Sequence, residues 1–299
     1  MFTNVLVGVD RHLDDLGAVL LGERLRAQDG RLTLAHVYQG DPRLGRAWTA
    51  EYETAEQQRA LELLVEARDR AGVRGELRCV ESSSPGRGLH ELAETITADL
   101  VVVGSSHRGL LGRVLLGDDT HAALNGAPCA VAIAPAGYAE RSMAIREIGV
   151  AYNGSAESEY AVSVARALAV MHNARLSACQ AISLPAYAFL GGPVPIDNAV
   201  EDLVGEARER IAALGGIEPH AVYGNVVDEL SLYSASLDLL IVGSRGYGPF
   251  GRLVHGSTSG QLARTARCPV LVLARVAPDH EIASPPELEL SGTRHADST

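Results

Sequence analysis

Short runs of aliphatic and β-branched residues alternate along the chain with longer stretches in which apolar residues recur every three or four positions. The runs at 5–9, 32–38, 76–80, 100–104 and 131–134, and again at 148–151, 175–182, 219–222, 239–243 and 270–274, predict strands. Between them, AVLLGERLRA, AEQQRALELLVEARDR and EDLVGEARERIAAL have the spacing of amphipathic helices. Strands alternating with helices call for a parallel sheet with right-handed crossovers and helices on both faces. The opening MFTNVLVGVD has no basic region followed by an apolar run and a cleavage site, so it reads as a first strand and not as a leader.

The pattern occurs twice. DLVVVGS from Asp99 returns as DLLIVGS from Asp238, 139 positions later, and Gly117 returns as Gly256 at the same offset. APCAVAIAP from Ala127 is echoed by RCPVLVLA from Arg267, and VLVGVD ending at Asp10 by IGVAYN ending at Asn153. The period is far longer than a solenoid unit and indicates a duplicated domain. The expected fold is α/β: two tandem Rossmann-like domains, each a five-stranded parallel sheet with helices on both faces, over 1–140 and 141–277. Residues 278–299 are polar, aperiodic and proline-containing, which predicts a disordered tail.

Composition narrows the function. A length of 299 residues suits two domains of about 150. With 46% hydrophobic but only 4% aromatic residues, the cores must be aliphatic. Thirty-seven acids against 26 bases give a net charge of −11, which disfavours a nucleic-acid partner. All 26 bases are arginine. The absence of lysine excludes a Walker A loop, a kinase-type lysine, a pyridoxal-phosphate Schiff base and a lysine nucleophile. Cys79, Cys129, Cys179 and Cys268 form no C-x-x-C pair, which argues against zinc or a redox dithiol and for reduced core thiols. No apolar stretch approaches a membrane span. The expectation is a cytoplasmic protein with neither a nucleic-acid nor a membrane partner.

Chemistry concentrates after the fourth strand of the second half, in Gly243-Ser-Arg-Gly246-Tyr-Gly-Pro-Phe-Gly-Arg-Leu-Val-His-Gly256-Ser257. Ligands of open parallel sheets bind beyond the carboxyl ends of the strands, where this loop lies. Its glycines permit close approach of backbone to a ligand, and Gly256-Ser257 opens a helix whose free N–H groups suit a phosphate. Thr258 is a further hydroxyl at that helix start, and Arg245 and Arg252 add positive charge.

The spacing G-x2-G-x9-G-[S/T] at Gly243, Gly246, Gly256 and Ser257 resembles the nucleotide-binding signature of the universal stress protein family. VGVD at Asp10, AYNGSAES at Asn153, the DLVVVG and DLLIVG strands and the PCAVAIAP and CPVLVLA strands extend the resemblance over nearly the whole chain. It implies ATP, alone or with Mg2+, with phosphates and ribose on the glycine loop and adenine near the ends of the first two strands. In the second half this places the base near Asn153 and Ala181. In the first half the corresponding positions are Asp10, Val37, Gly104 and Gly117, with His36 beside Val37. The resemblance also implies pairing of domains through their last strands, here an intramolecular pseudo-dimer, with a homodimer and an unidentified protein partner left open. The two halves depart from the signature differently. In the first, His107 replaces the second glycine and Asp118 stands where a hydroxyl would receive phosphate, so a triphosphate would be repelled. In the second, Asn153 replaces the first-strand acid but keeps an acceptor.

Other patterns fail on context. Gly246-Tyr-Gly248-Pro-Phe-Gly251 satisfies G-x-G-x-x-G but follows a fourth strand and has no downstream acid for a ribose. Gly256-Ser-Thr-Ser-Gly260 has Thr258 where a nucleophile elbow needs serine. His107 and His255 stand singly beside the loops, with no paired acid or nucleophile at recognisable spacing. The connections at 40–50 and 183–198 rise at the ligand end, as a lid or a partner surface. The expected function is ATP binding in the second domain as an occupancy-dependent stress-response regulator, with at most slow ATPase activity. The competing reading is a nucleotide-independent docking scaffold.

Overall fold

The computed structural model describes residues 2–11, 16–38, 50–105, 125–140, 144–183, 196–244 and 257–274. The first half contains β1 (Phe2–Gly8), α1 (Gly17–Leu25), β2 (Arg26–Tyr38), α2 (Ala50–Ala71), β3 (Glu76–Glu81), α3 (Pro85–Thr95), β4 (Leu100–Gly104) and β5 (Ala130–Ala134). The second contains β6 (Glu147–Ala151), α4 (Ala156–His172), β7 (Arg175–Ile182), α5 (Ile196–Ala212), β8 (Glu218–Tyr223), α6 (Val226–Tyr233), β9 (Leu239–Gly243), α7 (Ser257–Thr265) and β10 (Val270–Leu273).

All ten expected strands are present, and they form one sheet in the order β3-β2-β1-β4-β5-β10-β9-β6-β7-β8. Pairing within each half is parallel throughout. The reversal of strand order beside β1 and β6 is the doubly wound arrangement. Strands buried on both faces explain the continuous apolar runs: Leu100, Val101 and Val102 are fully buried, as are Leu239, Leu240 and Ile241.

The halves meet where β5 and β10 run antiparallel, with Val270 opposite Ile133, Leu271 opposite Ala132 and Val272 opposite Val131. The apolar layers on the two faces both cross this junction. One joins residues of α1, α2, α4 and α5 with Ala132 and Leu271. The other joins residues of α3, α6 and α7 with Val131, Ile133, Val270 and Val272.

Some boundaries differ from expectation: β2 starts at Arg26, six residues ahead of the run at 32–38, and α2 at Ala50. The amphipathic stretch AVLLGERLRA predicts helix through Ala27, yet α1 ends at Leu25 and Arg26 is already extended, with φ −68° and ψ 138°. The Arg26 guanidinium donates to the carbonyls of Gln28 and Gly30 while paired with Glu23, so one side chain satisfies backbone that a continuing helix would have paired itself. The expected tail at 278–299 and most of the two long connections lie outside the described residues. No helix among the described residues is long and apolar enough to cross a membrane.

Candidate functional site

The carboxyl ends of β6, β7 and β9 lie side by side, because Ala151 pairs with both Cys179 and Val242. This edge of the second half gathers Asn153, Ala181, Gly243 and the start of α7 at Ser257 and Thr258, among the residues that sequence alone nominates. Just past β6, Asn153 Oδ1 accepts a 3.1 Å hydrogen bond from Ser155 N–H, closing an Asx turn. Gly154 follows in the left-handed region at φ +75°, a conformation glycine adopts without strain. Ser155 then caps α4 by accepting from Ser158 N–H at 3.3 Å. The NGS segment is thus a turn that satisfies itself, and Asn153 is exposed at its tip.

Gly243 ends β9 against the first turn of α4. A Cβ at this position would lie 2.6 Å from the Glu157 carbonyl oxygen, so glycine is demanded by packing irrespective of any ligand. At its counterpart in the first half, Gly104, a Cβ would meet no described atom within 4 Å. In both halves the next residue ties back to the last strand: Ser105 N–H donates to Ala134 and Ser244 N–H to Leu273.

Ala181 lies on β7 opposite Val222, two residues beyond the carbonyl of Cys179 that accepts from Tyr152 N–H. Beside it, Gln180 Oε1 is buried with no hydrogen-bond partner among the described residues. Thr258 is half-buried near the start of α7, and Leu262 and Ala263 anchor that helix to the sheet. Ser257 is its first residue. In the first half, Asp10 is exposed just past β1 and accepts from Arg11 N–H. Val37 sits on β2 opposite Val80. His36 Nδ1 is 2.7 Å from the Val9 carbonyl and so donates to the end of the first strand. Arg245, Gly246 and Gly256, with Gly117 in the first half, lie outside the described residues, as do Arg252, His107, Asp118 and His255.

The electrostatics of the helix starts differ. By chain direction, α4, α6 and α7 all begin at this edge. The first turn of α4 carries Glu157 and Glu159, and that of α6 carries Asp228 and Glu229. The first turn of α7 carries no acid, so its partial positive charge is left uncompensated by its own side chains.

Three features escape a reading of the sequence. Tyr152 is buried and donates to Glu159, with its phenol pushed up to about 12 by burial first and then by that carboxylate. The Arg210 side chain lies beside Gly154 and opposes the Tyr152 shift. The repeated aspartate of DLVVVG and DLLIVG has a structural role. Asp99 accepts from the N–H groups of Thr3 and Asn4, and Asp238 from those of Arg146 and Glu147, so each clamps the start of its half's first strand. The repeat itself was the available signal, but partners over 90 residues away cannot be read from it. The cysteines are all free, and burial pushes Cys129 up to about 12 and Cys179 up to about 11. Among the described residues, no group of three or more His, Cys, Asp or Glu could hold a metal ion.

Comparison with known proteins agrees with this architecture. The profile of the universal stress protein family matches residues 1–135 and again 144–274. A universal stress protein of Mycobacterium tuberculosis H37Rv is 29% identical over 290 residues, covering 90% of this chain and 96% of the relative. One from Thermus aquaticus is 31% identical over 142 residues, 43% of this chain and 98% of its own length. Among solved structures, a universal stress protein of Archaeoglobus fulgidus superposes with a TM-score of 0.62 at 15% identity, over 91% of this chain and 98% of its own. A Pseudomonas aeruginosa PAO1 protein of unknown function gives 0.64 at 18% identity, over 91% and 92%. The chain belongs to the universal stress protein family, with the family's domain present twice in tandem.

Proposed function

We propose that the second domain, taken as 141–277, binds ATP with its phosphates at the start of α7 and its base toward Asn153 and Ala181. The observation that carries this reading is the acid-free first turn of α7, which follows the glycine loop, while α4 and α6 start with two acids each. An anion is favoured at a helix start whose dipole is not already compensated. Gly243, Gly246, Gly256, Ser257, Thr258 and Arg245 contribute to the phosphate end. Mg2+, if it accompanied the nucleotide, would neutralise part of the phosphate charge. The first domain, taken as 1–140, is the weaker site, with Asp118 opposing a triphosphate where the second domain has Ser257. Occupancy acts by shifting the population able to meet a protein partner in the cytoplasm, and the protein is not an efficient enzyme.

A second reading is supported by the same edge. Gly243 is required by its contact with Glu157, and Asn153 Oδ1 is engaged in its own turn, as expected of a scaffold that holds no nucleotide. Isothermal titration of nucleotide-stripped protein with Mg-ATP separates the two. One site per chain, abolished by Gly246→Glu, is the expected result. Retained affinity in that variant overturns the assigned site, and no binding in the unmodified protein favours the scaffold.

A further inference from the structure

The opposite edge of the sheet, at the junction of the halves, holds a cavity of about 450 Å3 lined by Arg24, Ala144, Ile145, Arg146, Glu147, His172, Asn173 and Arg175. Arg24 comes from the end of α1 in the first half. In the second, the other residues precede or begin β6, end α4 (His172), follow it (Asn173) or begin β7 (Arg175). From the start of β6 to the ATP edge is one strand length, roughly 16 Å at about 3.3 Å per residue.

The charge of this lining runs against that of the molecule. Three guanidiniums face one carboxylate, in a chain whose net charge is −11. Glu147 is engaged by Arg175. Arg146 uses its backbone N–H on Asp238, and its guanidinium has no partner among the described residues; the same holds for Arg24. Last-turn cations such as Arg24 do offset helix carboxyl ends, a role that exposed side chains fill without forming a site. His172 adds a separate observation. Its Nε2 is buried with no hydrogen-bond partner among the described residues, and the ring lies beside Arg24. A buried ring nitrogen without a partner marks an unmet polar requirement at this wall of the cavity.

We infer that this cavity binds a phosphate group, free or as a small phosphate monoester, held by Arg24 from one half and Arg146 from the other. A phosphate offers anionic oxygens to both guanidiniums at once. A carboxylate carries one charge on two oxygens, where a phosphate or its monoester as the dianion spreads two over three or more. The volume exceeds what inorganic phosphate fills and leaves room for a few carbon atoms of an ester. Because Arg24 and Arg146 belong to different halves, the ligand fastens the junction from the side away from the nucleotide.

The test is titration of the full chain with inorganic phosphate and, separately, glycerol 3-phosphate, in phosphate-free buffer at constant ionic strength. The expected result is one saturable site per chain that persists in Gly246→Glu and weakens about tenfold in Arg24→Gln and in Arg146→Gln, the loss of one charge-assisted hydrogen bond. Both guanidiniums lack protein partners among the described residues, so both variants should melt within a few degrees of the unmodified protein, which is checked alongside. Tighter binding of the ester than of phosphate identifies a monoester as the ligand, and equal binding identifies phosphate itself. Absence of saturation, equal affinity in the arginine variants, or loss of binding in Gly246→Glu overturns the proposal, the last by sending phosphate to the glycine loop.

Discussion

His172 occupies the last turn of α4, beside the backbone and guanidinium of Arg24, and burial together with that nearby charge holds its imidazole below the ordinary value of 6.5. The unfolded chain therefore takes up this proton before the folded one does. The neutral ring's contribution to stability is fully present above about pH 6.5 and is lost as pH falls through the lowered folded value. His172→Gln removes the titration. On acidification from pH 7.5 to 5.5 in phosphate-free buffer, the variant should lose less thermal stability than the unmodified protein. Equal losses would show that the folded ring titrates as in water. Neither this ring nor its neighbour Arg24 signals its role in the sequence, because the two approach only when the halves pack together. The same holds for Asp99 and Asp238, legible as a repeat but not as clamps on strands far away along the chain.

At the scale of elements, β9 and the first turn of α4 are in contact at Gly243, whereas at Gly104 of β4 the described residues leave room for a side chain. Gly243→Ala forces the Glu157 backbone to move and should cost about 1–3 kcal/mol in denaturant unfolding. Gly104→Ala should stay within about 0.5 kcal/mol. Equal effects would contradict the packing difference between the halves. The elements themselves were largely legible, since the central strands are buried on both faces and apolar throughout, while the edge strands β3 and β8 keep short apolar runs beside charged residues. The end of α1 was not, because it depends on where one arginine side chain finds carbonyls. The candidate site was legible as a set of positions, Asn153, Ala181, Gly243 and Ser257, that the topology gathers at one edge. Why Gly243 is glycine was not, since the answer lies on a helix more than 80 residues away in the chain.

For the whole molecule, the crossing of both apolar layers through the β5–β10 junction makes the halves thermodynamically one unit. Scanning calorimetry should show a single transition whose calorimetric and van't Hoff enthalpies agree. Two resolved transitions would mean that the junction is weaker than its burial indicates. The centre of that junction has a consequence for how chains recognise themselves. Its register is symmetric about the pair Ala132–Leu271, which occupy equivalent places in the two halves. A second copy of β5 in place of β10 would set alanine against alanine and leave a void. Two copies of β10 would set leucine against leucine where one backbone spacing admits a small residue and a large one. Unlike halves therefore fit where like halves do not, so the duplication has turned a self-complementary contact into one that selects its partner. The tether holds that partner at high local concentration, which leaves each half free to diverge in what it binds.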